Sequence, residues 1–284
     1  MTCTNPIMVK ANDGSGYMMV ACGKCDGCLA DKAREWCVRV VNEGQMYSDN
    51  VVINLSYDDE HLPKGGTLLK SDYQKFLKLL RKRVYPDKVR YFLCGEYGDK
   101  FGRCHWHIIV FGLSMWDYRV FSGHILDNKG HYVVKCSCWD KGRVVVDYLS
   151  RKSASYVSRY TTKKIGKHTK DWYLQQGLLP EFIAMSCKPG IGFSWMEKYK
   201  NDVLTHNFVL VDGVKYKVPR YYFNKLGIKD TIGYEMMKDK EHQDYIEKCI
   251  NTPLQDRFSE AVDTENKLIQ KSRNNRKFME IRKR

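Results

Sequence analysis

The sequence predicts an α+β protein in which an antiparallel sheet is covered by helices on a split βαβ plan, and three observations carry that prediction. Residues 51–57 are β-branched and apolar, the pattern of a strand. Residues 71–84 place Tyr73, Phe76, Leu77, Leu80 and Val84 at the intervals of one helical face. Residues 89–96 and 104–111 are two further strand-like runs, joined by a stretch whose glycines and aspartate suit a hairpin loop, so they are expected to pair antiparallel. Strand, helix, strand, strand in that order fits a sheet carrying helices on its face.

Element by element, the chain opens on a Gly-rich segment that ends in Cys22, Cys25 and Cys28. Residues 31–43 follow with helical character, Ala33, Trp36, Val40 and Val41 being available for one face. The polar residues 58–63 end the first strand in a turn. Ser71 with Gln74 fits a capping box at the start of the next helix, and Pro86 lies beyond its end. Residues 113–142 are mixed and Gly-punctuated, after which residues 143–147 read as a strand leading into a helix around residues 153–164. Two short strand-like runs flank Asp212-Gly213, a strong hairpin signal. From Lys238 onward the chain is charged and helical in character, with a basic end from Arg273 to Arg284. The expected organisation is therefore a cysteine-bearing N-terminal segment and helix over residues 1–48, a core over residues 49–225, and a basic helical extension over residues 226–284.

Lys and Arg number 48 against 33 Asp and Glu, a formal charge of +15, so the surface is expected to attract polyanions. Nucleic acid is the leading partner class. An anionic membrane surface is the rival, but no run approaches the roughly 18 apolar residues that cross a bilayer. A hydrophobic fraction of 43% is enough to build a core, which argues against general disorder. The first residues lack the basic and apolar regions of a signal peptide, giving the expectation of a soluble cytoplasmic protein. In that compartment eleven cysteines point to metal binding or simple burial rather than to a disulfide framework.

In a strand, alternate residues share a face, so His105 and His107 project together with Ile109 and Phe111, while Trp106, Ile108 and Val110 point the other way. Glu96 lies across the expected hairpin and completes a two-histidine, one-carboxylate set. Such mixed nitrogen and oxygen ligands tolerate Mg²⁺ or Mn²⁺ and leave positions for phosphate oxygens. The plainer alternative is two exposed strand histidines and a surface glutamate that never meet. Tyr156, Tyr160 and Lys163 fall on one side of a helix. Core tyrosines on an amphipathic helix are the ordinary explanation of such a pair. The polar setting of Ser153, Ser155, Ser158, Arg159, Thr161, Thr162 and Lys164 instead suggests tyrosines exposed to an anionic partner. A phenol is a weak nucleophile at neutral pH and needs a cation or a polarised phosphate beside it.

These residues resemble the HUH endonucleases that initiate rolling-circle replication. Further motifs extend the resemblance to the replication initiators of gokushovirus-type microviruses: residues 22–28 (CGKCDGC), 55–63 (LSYDDEHLP), 94–98 (CGEYG), 156–164 (YVSRYTTKK), 186–192 (SCKPGIG) and 218–222 (VPRYY). The resemblance implies an HUH-like nuclease core that nicks one strand at the origin, joins a tyrosine to the new 5′ phosphate and leaves a 3′ hydroxyl as primer. It also implies rejoining by strand transfer, with Tyr156 and Tyr160 as the two nucleophiles. A circular viral genome, host helicase and polymerase, and the bacterial cytoplasm come with it. Cys104 stands where the family pattern suggests proline, which bears on the loop shape alone.

Cys22, Cys25 and Cys28, with Cys3 as a distant fourth, suit a tetrathiolate zinc site or are simply unligated cysteines. Residues 58–61 read as turn formers rather than further metal ligands, and residues 188–192 as an irregular connection rather than a nucleotide loop. The rival from another class is a nonenzymatic single-stranded nucleic-acid binder that uses its basic surface and aromatics.

Overall fold

A computed structural model describes residues 3–10, 16–98, 101–163 and 170–227, with Glu247 and Asn251. The expected C-terminal extension lies almost wholly outside the described residues. Along the chain run β1 (Ile7–Lys10), β2 (Tyr17–Val20), α1 (Asp26–Gly44), β3 (Asn50–Ser56), α2 (Lys70–Val84), β4 (Arg90–Tyr97), β5 (Cys104–Phe111), β6 (Phe121–Leu126), β7 (Tyr132–Cys136) and β8 (Trp139–Tyr148). There follow α3 (Arg151–Lys163), α4 (Lys170–Gln175), β9 (Phe182–Met185), α5 (Phe193–Lys198), α6 (Lys200–His206), β10 (Phe208–Val211), β11 (Val214–Lys217) and α7 (Arg220–Leu226). They divide into two compact units, one drawn from Met1–Asp31, Lys200–Val209 and Lys217–Arg284, the other from Lys32–Tyr199 and Leu210–Tyr216.

The larger unit is built on a seven-stranded sheet of order β6-β7-β8-β3-β5-β4-β9, antiparallel at every pairing. Strands β3 and β4 both flank β5 and are joined through α2, which is the split βαβ arrangement expected from the sequence. Strand β5 is apolar on both faces because both faces are covered. Trp106, Ile108 and Val110 enter one core with Tyr73, Phe76, Leu77, Leu80 and Val84 of α2. Ile109 and Phe111 enter the other with Cys37 and Val40 of α1 and Ala154 and Val157 of α3. The alternation expected along β5 is thus the division between two hydrophobic layers.

Two details depart from the sequence expectations. Helix α2 starts at Lys70 with Leu69 at its N-cap and no side-chain cap hydrogen bond, so the Ser71–Gln74 capping box does not form. Ser71 already lies inside the first turn, where its hydroxyl cannot cap the helix it belongs to. Residues 113–142, given no regular element, hold β6 and β7, whose short half-exposed runs have little apolar periodicity. The Asp212-Gly213 hairpin forms as expected, with φ values of 48° and 73°, the doubly positive pair that a tight two-residue strand connection demands.

In the smaller unit β1 and β2 pair antiparallel from Ile7↔Val20 to Lys10↔Tyr17. Their side chains build little core: Ile7, Met8 and Tyr17 are 48%, 66% and 74% exposed. None of the described cysteines is in a disulfide. Among the described residues no helix is long and apolar enough to cross a membrane.

Candidate metal centre and nucleophile

Register between β4 and β5 assembles the centre. The pairs are Cys94↔His107, Gly95↔Trp106 and Glu96↔His105, while β3 sets Asn54 against His107 from the other side. Because side chains alternate, Glu96, His105, His107 and Asn54 emerge on the face covered by α1 and α3, and Trp106 turns to the opposite core. Gly95 makes this possible: a Cβ there would lie 2.5 Å from the Trp106 ring, so only glycine lets the indole pack across the strand. Trp106 is then held by donating its Nε1 hydrogen to the Tyr57 hydroxyl at 3.1 Å, which donates in turn to Asp72 at 2.9 Å.

Three ligand atoms converge. Glu96 Oε1 lies 2.7 Å from His105 Nε2 and 2.9 Å from His107 Nε2, and the two Nε2 atoms are 3.1 Å apart. The opposite ring nitrogens face acceptors: His105 Nδ1 is 3.1 Å from the Arg103 carbonyl oxygen, and His107 Nδ1 meets the Asn54 side-chain oxygen. Each Nδ1 therefore carries its proton outward, leaving both Nε2 lone pairs aimed at one point beside a carboxylate. Three acceptors gathered this closely call for a cation between them, so the residues present fit a divalent ion. Glu96 is only 3% exposed whereas the His105 side chain is 21% exposed, so the centre has a closed inner side and an open rim. Burial pushes the Glu96 carboxyl upward, but hydrogen bonds from His105 and His107 outweigh it and bring it to about 2.

Tyr156 of α3 faces this centre. Its ring centroid is 5.4 Å from that of His107, with the planes at 85°. It is half-buried against the apolar layer beneath α3 rather than freely exposed, which corrects the expectation drawn from its polar neighbours. The neighbours mark the outer side of the helix, while Ala154 and Val157 fix the inner one. The Arg159 guanidinium lies 5.7 Å from the Tyr156 ring centroid. Tyr160 and Lys163 belong to the backbone of α3, and their side chains lie outside the described set, as does all of Lys164.

The other candidates separate cleanly. Asp58 Oδ1 accepts from the His61 backbone N–H at 2.8 Å and sits 2.8 Å from its ring, a turn rather than a second carboxylate site. Gly192, at the end of the 188–192 connection, donates its N–H to Glu43 at 2.6 Å and leads into α5. Cys3, Cys22, Cys25 and Cys28 come together, all four sulfurs lying within 4.8 Å of one another. The structure adds three contributors that sequence reasoning missed: Asn54, Arg103 and Arg159. Asn54 leaves a signal, an amide in the middle of the apolar run of β3. Arg103 leaves none, because it acts through its backbone carbonyl.

A family model for the replication-associated protein ORF2 matches residues 50–165, the stretch from β3 through α3 that contains Glu96, both histidines and both tyrosines. The chain is 33% identical over 213 residues to replication-associated protein VP4 of Bdellovibrio phage phiMH2K, covering 71% of this chain and 65% of that protein. It is 34% identical over 224 residues to replication-associated protein ORF2 of Spiroplasma virus 4, covering 73% and 67%. With replication-associated protein ORF4 of Chlamydia phage 1 the identity is 29% over 230 residues, covering 78% and 55%. The matched region thus spans between about half and two thirds of the relatives' own lengths. No solved structure matches the chain significantly.

Proposed function

The chain belongs to the ORF2 family of phage replication-associated proteins, and from that premise we propose that it initiates rolling-circle replication by cutting one strand of DNA at the origin of a circular phage genome. The observation that carries this reading is the convergence of Glu96, His105 and His107 on one point with the Tyr156 ring against His107. Glu96, His105 and His107 hold Mg²⁺ or Mn²⁺. The ion, when bound, polarises the scissile phosphate and offsets the charge that grows on its non-bridging oxygens.

The chain's own residues do the rest. Asn54 and the Arg103 carbonyl fix both imidazoles with Nε2 inward. Tyr156 or Tyr160 attacks the phosphorus through its phenolic oxygen: the phenol loses its proton, a tyrosine–phosphorus bond forms, and the bond from phosphorus to O3′ breaks. The departing O3′ takes up a proton and becomes the primer hydroxyl. Because one phosphodiester is exchanged for another, the 5′-phosphotyrosine link retains the energy needed for later rejoining by a 3′ hydroxyl. Arg159 beside Tyr156, and Lys163 three residues beyond Tyr160, supply positive charge for the phenolate and the DNA backbone. Unwinding and extension fall to host helicase and polymerase in the bacterial cytoplasm.

End-labelled single-stranded origin DNA, incubated with the full chain and a divalent ion, tests the reading. A covalent protein–DNA adduct is expected with Mg²⁺ or Mn²⁺, lost in His107→Ala and in the double variant Tyr156→Phe/Tyr160→Phe. The single tyrosine variants then separate the first cut from the second. Salt-sensitive binding with no adduct under any divalent ion would favour the nonenzymatic binder. An adduct that survives the double tyrosine replacement would place the nucleophile elsewhere.

A further inference from the structure

We propose that Cys3, Cys22, Cys25 and Cys28 bind one zinc ion as a structural tetrathiolate site, separate from the histidine centre. Tetrahedral zinc with bonds of about 2.3 Å to sulfur requires sulfurs about 3.8 Å apart. The Cys22 and Cys28 sulfurs lie 4.0 Å apart and those of Cys3 and Cys25 lie 3.7 Å apart, with all four mutually within 4.8 Å. One ion fits the space they enclose. A multinuclear iron–sulfur cluster, whose irons stand apart, needs its thiolates spread more widely.

The backbone around the sulfurs is arranged for thiolates. The amides of Lys24 and Cys25 point at Cys22 Sγ at 3.5 and 3.3 Å, and the amide of Cys22 points at Cys3 Sγ at 3.3 Å. Gly23, at φ 74°, takes the left-handed turn that brings the chain round the sulfur. Cys28 lies in the first turn of α1, where the helix's positive end favours a negative ligand. Amide donors and a helix start add to thiolate stability without filling a coordination position.

The surrounding fold supplies the second line of argument. A two-stranded hairpin is marginal unless something holds it. Strands β1 and β2 have four residues each, and Ile7, Met8 and Tyr17 are largely exposed, so apolar burial contributes little there. Cys3 precedes β1 and Cys22 follows β2, at the open end of the hairpin opposite its turn. An ion shared by these two and by Cys25 and Cys28 closes that end and ties it to the start of α1. Metal binding then becomes the folding energy of this segment. Four protein ligands leave no open position, so the site is structural.

Elemental analysis of the full chain, purified under reducing conditions without added metal, is expected to find one zinc per chain. The zinc is expected to stay in the double variant His105→Ala/His107→Ala and to be lost in Cys25→Ser/Cys28→Ser. Because losing these ligands can unfold the hairpin, cobalt titration of the metal-stripped natural chain gives an independent reading. Thiolate-to-cobalt bands in the near ultraviolet and strong tetrahedral absorption in the visible are expected, and zinc is expected to erase both. Zinc retained without Cys25 and Cys28, iron in place of zinc, or a natural chain that yields no thiolate–cobalt spectrum would each overturn the proposal. None of these readings depends on whether the chain cuts DNA.

Discussion

The histidine centre and the cysteine cluster are both sets of metal-ligating side chains, yet they stand on opposite physical footings. Glu96, His105 and His107 project from three-way strand pairing between two packed hydrophobic layers, so their geometry is supported by core that owes nothing to an ion. The four cysteines sit around a hairpin with little buried apolar surface. In the first region the fold holds the site, and in the second the site holds the fold. A ligand set on a well-packed sheet can stay open at its rim for chemistry, whereas one that must stabilise its own scaffold uses every coordination position.

This contrast breaks most readily on metal removal. Stripping all metal is expected to abolish hydrogen-exchange protection in β1 and β2 while β5 amides keep theirs. Loss of protection in β5, or full retention in β1 and β2, would erase the distinction. Next in size, Asn54→Ala is expected to weaken divalent-ion binding at the histidine centre roughly 10–100-fold, since the ring it orients is freed to turn. Calorimetric titration reads this, and the melting temperature should change little beside it. Gly95→Ala tests whether the sheet is as rigid as this contrast requires. Its Cβ would meet the buried Trp106 ring at 2.5 Å, and the overpacking is expected to cost about 1–3 kcal/mol in denaturant unfolding. The smallest effect belongs to Ser71→Ala. With no cap bond to lose, unfolding free energy should shift by less than about 0.5 kcal/mol, against about 1 kcal/mol if Ser71 capped α2.

The alternating residues of β5, the helical face of α2 and the Asp212-Gly213 turn are legible because each is a short-range pattern with one geometric meaning. The run of residues 104–111 coincides with β5, and the side chains assigned to each of its faces enter separate cores. Helix α1 begins at Asp26, ahead of the run that the sequence suggests, because residues 26–30 carry no apolar periodicity. Strand β9 is not legible at all: its four half-buried residues hold their place through pairing with β4, not through a pattern of their own.

The site divides along the same line. Local spacing is enough to put His105 and His107 on one face and Tyr156, Tyr160 and Lys163 along one helix, since strand and helix periods are properties of the backbone. Whether Glu96 stands opposite His105, whether Asn54 reaches His107, and whether Tyr156 lies against the imidazole all depend on strand register and on how α3 packs. Those relations join residues far apart in the chain, and packing sets them. The same holds for Cys3, which spacing could name only as a distant fourth and which hairpin pairing carries to the other three sulfurs.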